Sequence, residues 1–458
     1  MARRRPRSRE AMAVAVFDIG KTNVKLSLVE GGAIRRTLSA PNRTLPGPPY
    51  PHADEGAIWS FLMEGLGRLG REAPISDIVP VAHGGACALV DGAGALALPI
   101  LDYEFSIEDD DYDRVASPFS ETFTPPLMGG LNIGRQLLWF AKAFPEAFGR
   151  ARQLLLHPQY WSFRLSGVAS SEVTYLGSHT GLWRPAEGGF SGLVDRMGWH
   201  HLFPPLRKAS EVLGPILPAI AAETGLSPDC RVRTGIHDSS ASFLRHRVSR
   251  PAPFTVASTG TWIVSMAAGA DPKTVPENRN CLVNVDALGS PVPCCLFMGG
   301  REYAELTAGL TAAAPGRDAI AAVIENRSML VPPLSEGGSP FIGRPPGGAS
   351  GSAPRSDGEA VARASLYLAL MTDYCFDLLK AAGPVIVEGS LIVNDIFLAA
   401  LAALRRPASL FVSSDATGTV SGAVLLAGER IPDTPVLLAP LDLPIEDYWR
   451  AWREALPA

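Results

Sequence analysis

Residues 13–29 read AVAVFDIGKTNVKLSLV, and residues 253–267 read PFTVASTGTWIVSMA. Each stretch is an apolar run that meets a short polar turn containing Gly and Thr and then returns as a second apolar run. An apolar strand, a tight polar turn and a returning strand predict a β-hairpin. Because the same arrangement occurs twice, about 240 residues apart, the sequence indicates duplication of a whole domain.

Strands and helices alternate along the rest of the chain. Alternation of this kind is typical of an α/β architecture, which we expect in both halves. Apolar residues spaced by three and four predict helices, and short apolar runs predict strands. The helices are expected over 57–72, 133–148, 361–382, 394–405 and 418–428, and the further strands over 34–40, 385–388 and 410–414.

The length of 458 residues indicates two domains, because single cores stop growing at about 250–300 residues. Arg and Pro interrupt the pattern near residue 250, so we divide the chain into an N-terminal domain, 13–248, and a C-terminal domain, 249–458. The Pro-, Gly- and Ser-rich segment 331–358 is expected to be a long surface loop. Residues 1–12 are rich in arginine and are expected to be a disordered tail, with a nucleic-acid arm as the alternative.

The composition favours a soluble globular protein, with 47% hydrophobic residues and a formal net charge of −5. The acidic balance argues against a nucleic-acid binder, which carries a basic excess. No run of 18 apolar residues occurs, so no membrane span is predicted and the cytoplasm is the expected location. The six cysteines form no CxxC pair, which argues against a zinc or redox motif. The composition leaves open whether the chain is a monomer or a homodimer.

Short polar residues fill both hairpin turns. Backbone N–H groups in such turns can point at phosphate oxygens, and a carboxylate at a strand end can hold the water shell of Mg²⁺. Both turns are also compatible with ordinary solvated β-turns. The expected phosphate contacts are Asp18, Gly20, Lys21, Thr22, Asn23 and Lys25 in the first hairpin and Thr259, Gly260 and Thr261 in the second, with Asp18 as the residue that serves the metal.

Two further motifs place polar residues where a strand runs into a helix. Asp238 follows a short strand and precedes small residues that open a helix, as a general base for a substrate hydroxyl would. The alternative is a helix N-cap, and His237 is either a substrate ligand or a structural histidine. Gly389 and Asn394 follow a second strand in a turn that suits a nucleotide contact and equally suits a plain loop.

The order and spacing of these motifs resemble the FGGY carbohydrate kinases of the actin-like ATPase superfamily, from about residue 13 to residue 430. The resemblance implies two duplicated ribonuclease H-like domains flanking a catalytic cleft, in which the two hairpins face each other. It implies phosphorylation of a small sugar by ATP and Mg²⁺, with Asp238 as the base. The His237-Asp238 pair and the Gly-Thr-Trp turn favour the rhamnulokinase- and fuculokinase-like branch, and so a ketose such as L-rhamnulose or L-fuculose.

The resemblance also implies a sugar site in the first domain. The candidates for it are His83, Gly84, Asp102, Asn132, Arg135, His237 and Asp238. The sequence departs from the family at three points: the first concerns the phosphate turn, the second the adenine contact, and the third the identity of the sugar, which stays open. Lys21 replaces a small residue or Thr, Glu388-Gly389-Ser390 replaces a Gly-Gly run, and Asp102-Tyr103-Glu104 stands where Asp-x-Arg is usual. A sugar- or nucleotide-binding regulator with the same fold but no turnover is the competing function.

Overall fold

The computed structural model of the chain describes residues 13–108, 111–127, 129–310, 315–415 and 417–457. The tail predicted at 1–12 lies outside the described residues. The described residues form two units, of which the first contains the chain up to Ser249 together with Val285–Ser290 and Thr417–Pro432. The second contains Arg250–Asn284, Pro291–Ala416 and the chain from Asp433 onward.

The strands of the first half of the chain belong to the first unit. They are β1 (Ala13–Ile19), β2 (Asn23–Glu30), β3 (Ala33–Pro41), β4 (Thr44–Leu45), β5 (His52–Ala53), β6 (Ile75–Ala82), β7 (Cys87–Val90), β8 (Gln153–Leu156), β9 (Trp183–Arg184), β10 (Gly189–Phe190), β11 (Val212–Pro215), β12 (Arg231–Arg233) and β13 (Ile236–His237). The strands that follow are β14 (Phe254–Thr259), β15 (Ile263–Ala268), β16 (Cys281–Val285), β17 (Pro291–Phe297), β18 (Met329–Val331), β19 (Gly348–Ser350), β20 (Val385–Gly389), β21 (Leu410–Val412) and β22 (Val436–Leu437).

The α-helices connect these strands, and none of them within the described ranges is long and apolar enough to cross a membrane. They are α1 (Glu55–Gly70), α2 (Asp111–Val115), α3 (Phe119–Thr122), α4 (Ile133–Ala143), α5 (Pro145–Arg150), α6 (His157–Ser166), α7 (Val173–Leu176), α8 (Gly192–Met197), α9 (Pro218–Thr224), α10 (Asp238–Ser249), α11 (Gly299–Leu306), α12 (Arg317–Glu325), α13 (Asp357–Leu378), α14 (Asp395–Leu404), α15 (Gly418–Leu425) and α16 (Glu446–Glu454).

The two main sheets repeat one topology. In the first unit the strand order is β11-β12-β6-β1-β2-β3, with β13 beside β6, and in the second it is β16-β17-β15-β14-β20-β21-β22. In each sheet a hairpin, β1–β2 or β14–β15, is extended by a further antiparallel strand. Its first strand pairs in parallel with β6 or β20, which in turn pairs in parallel with β12 or β21. The duplication predicted from the two hairpins is confirmed.

Strand β1 is buried on both faces, as expected for a central strand with helices on either side. Because successive side chains point to opposite faces, Phe17 and Ile19 pack with side chains of α1 and α6. Val14 and Val16 pack on the other face with α10 and α15. The helix α15, which lies far along the chain, therefore completes the core of the first unit.

The predicted helix over 133–148 is two helices in the structure. Pro145 begins α5, and Phe144 before it has a non-helical backbone. Proline clashes with the preceding turn of a helix and disfavours helical backbone in the residue before it. The predicted loop at 331–358 also contains structure, because β19 pairs with β18. All six cysteines, each within the described ranges, are free and buried.

Candidate active site

Three strand ends meet at one edge of the first sheet. Strand β1 pairs in parallel with β6, placing Ile19 opposite Ala82, and β6 pairs in parallel with β13, placing Ala82 opposite His237. The carboxyl ends of parallel strands lie at the same edge, where ligands bind in α/β sheets. This register brings together Asp18, His83 and Asp238.

The turn between β1 and β2 is held by hydrogen bonds within it and from Asn42. Its Gly20 N–H donates to the carbonyl of Asn23 at 3.0 Å. Asn42 donates its side-chain amide to the Gly20 carbonyl at 2.8 Å and its backbone N–H to the Thr22 carbonyl at 2.9 Å. The side chains of Thr22 and Asn23 remain exposed, as does Lys25 on β2. Asn42 was not singled out from the sequence, since a lone Asn after a strand carries no pattern.

Asp238 is the first residue of α10, and its carboxylate accepts a hydrogen bond from the Ser239 N–H at 2.6 Å. About a third of its side chain is exposed, and one carboxylate oxygen lies 3.3 Å from Nε2 of His237. Burial first, and then the charge of Asp238, raise the pKa of Asp18 to about 6. The two carboxylates are therefore close enough to interact electrostatically.

Histidines surround the turn after β6. The ring of His83 lies 4.8 Å from that of His157, and the ring of His237 lies 6.0 Å from that of His179. A Cβ added at Gly84 would stand 3.1 Å from Nδ1 of His179 and 3.1 Å from Nε2 of His237, so glycine leaves room for both rings.

Burial lowers the pKa of all four imidazoles, and that of His179 falls to about 4. They are neutral near pH 7, each with one donor and one acceptor nitrogen. The Nδ1 atoms of His179 and His237 are buried without a protein partner among the described residues, whereas His157 interacts with the His83 backbone. Buried polar atoms normally have partners, so these nitrogens are suited to ligand hydroxyls. His157 and His179 were not predicted, because only the fold brings them to His83.

Residues of the short helix α7 hydrogen-bond to the backbone of two of these histidines. Glu172 is fully buried and accepts hydrogen bonds from the backbone and hydroxyl of Thr174 at 3.0 and 2.5 Å. The Thr174 hydroxyl oxygen accepts in turn from the His237 N–H at 3.2 Å. The hydroxyl of Tyr175 donates to the His83 carbonyl at 2.8 Å. Helix α7 thus holds both sides of the histidine cluster.

Glu172 predicts a pH dependence of stability. Burial raises its pKa to about 7 from 4.5, so its contribution to stability is complete below pH 4.5 and is lost as the pH rises through 7. The change is on the order of 3 kcal/mol. Between pH 5 and 8 the urea midpoint of the wild type should fall relative to that of Glu172→Gln, while Glu64→Gln, an exposed control, should follow the wild type. Parallel curves for the wild type and Glu172→Gln would contradict this.

Lys21 and Asp102 lie against each other, with the ammonium 2.5 Å from each carboxylate oxygen. Asn132 and Arg135 serve the beginning of α4 instead. Asn132 caps the helix by accepting from the Arg135 N–H at 3.1 Å. The Arg135 guanidinium pairs with Asp113 at 2.6 Å. Lys21, expected as a phosphate contact, and Arg135, expected in the sugar site, are thus both paired with carboxylates.

In the second unit the two threonines of the hairpin differ. Thr259 is buried, donates its hydroxyl to the Glu388 carbonyl at 2.6 Å and accepts from the Leu391 N–H at 3.0 Å. Thr261 is exposed. Gly389 has φ +93°, and a Cβ there would stand 1.9 Å from the Thr259 carbonyl oxygen. Glycine is therefore required where this turn meets the hairpin.

Asn394, farther along this turn, is half-buried and has a structural role. Asn394 caps α14 by accepting from the Phe397 N–H at 3.0 Å and donates to Ser365 at 3.0 Å. A feature missed from the sequence is Gly300 at the start of α11, where a Cβ would stand 1.9 Å from the Gly260 carbonyl oxygen. The pair Gly299–Gly300 after a strand was the available signal.

The threonines provide a matched pair of substitutions. Thr261→Val should raise the KM for ATP or lower kcat without changing the melting temperature, because it removes an exposed hydroxyl from the phosphate contact that the sequence predicts. Thr259→Val should lower the melting temperature, since it leaves the Glu388 carbonyl and the Leu391 N–H without their partner, at about 1–3 kcal/mol for each buried polar group. Steady-state kinetics and thermal melts check both. Equal effects of the two variants on melting would contradict the distinction.

The carboxylates at this edge provide few ligands for a metal ion. No group of three or more His, Cys, Asp or Glu residues able to hold a metal occurs among the described residues. Asp18 is a partly buried carboxylate whose pKa is raised by burial and by the charge of Asp238. Mg²⁺ retains most of its waters and needs only one or two carboxylates besides phosphate oxygens.

Comparison with known proteins gives concordant matches. Residues 251–435 match the family described as carbohydrate kinase FGGY, C-terminal domain. L-fuculokinase of Escherichia coli (strain K12) is 24% identical over 273 residues, which is 57% of this chain and 57% of that protein. The match thus spans little more than half the length of that relative.

Solved structures match over nearly the whole chain. The crystal structure of a carbohydrate kinase from Novosphingobium aromaticivorans has a TM-score of 0.90 and 37% identity, covering 97% of this chain and 98% of that one. The xylulose kinase from Rhodospirillum rubrum has a TM-score of 0.79 and 18% identity, with 96% and 98% covered, which indicates a shared fold.

Proposed function

Because this chain belongs to the FGGY carbohydrate kinase family, we propose that it transfers the γ-phosphoryl group of ATP to a terminal hydroxyl of a small sugar, with Asp238 as the general base. One observation carries the assignment of the base. The register of three parallel strands holds Asp238 at the edge where Asp18 and the histidine cluster lie. A carboxylate at this position can accept a proton from a bound hydroxyl.

In the proposed reaction the sugar hydroxyl gives its proton to Asp238 as its oxygen bonds to the γ-phosphorus. The bond from that phosphorus to the oxygen of the leaving ADP breaks. Asp18 would hold Mg²⁺, and the ion would supply positive charge to neutralise the phosphates when bound. In the second unit, exposed Thr261 and the turn at Gly389 and Asn394 are the proposed nucleotide contacts. Thr259 contributes through the turn that it holds.

The substrate that we propose is an uncharged ketose or polyol. Neutral imidazoles with unpartnered nitrogens suit hydroxyl groups, which both donate and accept. Lys21 and Arg135 are paired with carboxylates and so are poorly placed to receive an acidic sugar. The relatives L-fuculokinase and xylulose kinase support testing ketoses first.

A coupled assay of ADP release over a panel of sugars tests the proposal. The panel contains L-fuculose, L-rhamnulose, D-xylulose, glycerol and D-gluconate, with ATP and Mg²⁺. We expect turnover with at least one neutral member that exceeds ATP hydrolysis without sugar, and none with gluconate. Binding of a panel sugar by calorimetry with no ADP release from any member would instead support a non-catalytic regulator with this fold.

A further inference from the structure

We propose that Lys21 is a positioning residue for the sugar site, acting through Asp102 on Tyr103, and is not a ligand of the ATP phosphates. This inference rests on the proposed function. It changes the role expected for Lys21 from its place in the first hairpin, and it makes Tyr103 a specificity-determining residue.

The ammonium group of Lys21 is paired with the carboxylates of Asp102 and Glu104. Its ammonium lies 2.5 Å from both oxygens of Asp102 and 3.3 Å from Glu104. Asp102 also accepts from the hydroxyl of Thr44 and from the Glu104 N–H at 3.0 Å. Its side chain is only 7% exposed. The Asp102 carboxylate and the Lys21 ammonium are therefore expected to stay paired.

The pKa of Asp102 supports the same conclusion. Burial alone would raise it, but the hydrogen bonds from Lys21, Thr44 and the Glu104 N–H together lower it. If Lys21 turned towards a phosphate, it would leave a buried carboxylate without its cation. Breaking one side of a buried pair is more costly than losing a surface ion pair.

The next residue, Tyr103, connects the pair to the histidine cluster. Its ring lies 5.4 Å from the ring of His83 and 5.1 Å from the Lys21 ammonium. Its Cβ and Cγ lie 3.1 and 3.3 Å from the point where a Cβ would stand at Gly85. The Tyr103 carbonyl accepts from the Gly130 N–H at 2.9 Å. The Tyr103 ring therefore forms a wall beside His83. The segment that carries it, Asp102–Glu104, is linked to the first hairpin by the ion pair with Lys21.

An aromatic wall beside polar groups is a common way to orient a small ligand. With the lysine removed, Asp102 would keep its other hydrogen bonds but lose its tie to the first hairpin. The wall should then be less ordered, and the sugar rather than ATP should bind less well. If Lys21 bound the ATP phosphates instead, its removal would weaken the binding of ATP and leave the binding of the sugar unchanged.

The test is the split between the two KM values in Lys21→Met, measured with the panel sugar that the wild type turns over best. We expect the KM for this sugar to rise at least tenfold while the KM for ATP changes less than twofold. Lys21→Arg should retain part of the sugar affinity. The matched control is Lys208→Met, an exposed lysine of the same unit, which should leave both constants unchanged. Tyr103→Leu should raise the KM for sugar in the same way.

Asp102→Asn completes a double-variant cycle. If the two residues act as a pair, the Lys21→Met, Asp102→Asn double variant should be no worse than the poorer single variant, since coupled residues are not additive. A rise in the KM for ATP with an unchanged KM for sugar would overturn the inference, as would no change in either. If Lys21→Met does not fold, as judged by circular dichroism, Lys21→Arg and Tyr103→Leu decide by the same split.

The inference and the proposed function can fail separately. If the wild type is active but Lys21→Met raises the KM for ATP and not the KM for sugar, the role proposed for Lys21 is contradicted and the kinase proposal is not. A wild type that binds a panel sugar without turnover contradicts the kinase proposal, and calorimetry of Lys21→Met with that sugar then decides the role of the lysine. A wild type that neither binds nor phosphorylates any member of the panel contradicts both.

Discussion

Replacing Asp238 with asparagine is expected to lower kcat by about 10²–10⁴-fold, the usual contribution of a general base. The amide has the size of the carboxylate but cannot take the proton of the sugar hydroxyl. Asn and Asp are equally good at helix beginnings, so α10 should remain intact. Steady-state ADP release, thermal melting and ATP affinity by calorimetry check the three parts of this expectation.

Asp54→Asn is the matched control, because Asp54 caps α1 in the same unit by accepting from the Ala57 N–H. It should keep wild-type kcat. If Asp238→Asn retained more than about a third of wild-type kcat, Asp238 would be a helix-terminal residue only. A large loss of melting temperature in Asp238→Asn would likewise assign it a structural role.

Replacing Asp18 with alanine is expected to lower the rate at limiting Mg²⁺ by about 10–100-fold, the cost of losing a residue that holds a metal through an intervening group. Sugar affinity should be unchanged. In the wild type, kcat/KM for MgATP should fall as the pH drops below about 6, the raised pKa of Asp18, because the protonated carboxyl no longer attracts the cation. Titrating Mg²⁺ against rate at pH 5.5 and 7.5 measures both effects.

Asp18→Asn separates charge from shape. It keeps the size of the side chain, so it should resemble the alanine variant if charge matters. An unchanged Mg²⁺ dependence in both variants would remove the metal role, and an acid limb that persists in Asp18→Asn would assign that limb to another group.

Several parts of this site could be predicted from local sequence. A carboxylate directly after a strand and before small residues was visible at Asp238, and a turn between two apolar runs was visible at both hairpins. The role of Lys21 was not visible, because its partner Asp102 is 81 residues away and the turn looks the same whether the lysine faces phosphate or protein. The two hairpin threonines also look alike in sequence, and burial alone distinguishes Thr259 from Thr261.

The sequence by itself determined the two hairpins, their polar turns and their duplication, because apolar runs and turn residues can be seen in neighbouring positions of the chain. Only the tertiary structure decided that four histidines meet around Gly84, that Lys21 is neutralised by Asp102, and that α15 completes the core of the first unit. Those pairings depend on strand register and on closing loops of many residues. The position of one residue along the chain carries no information about them until the sheet has formed.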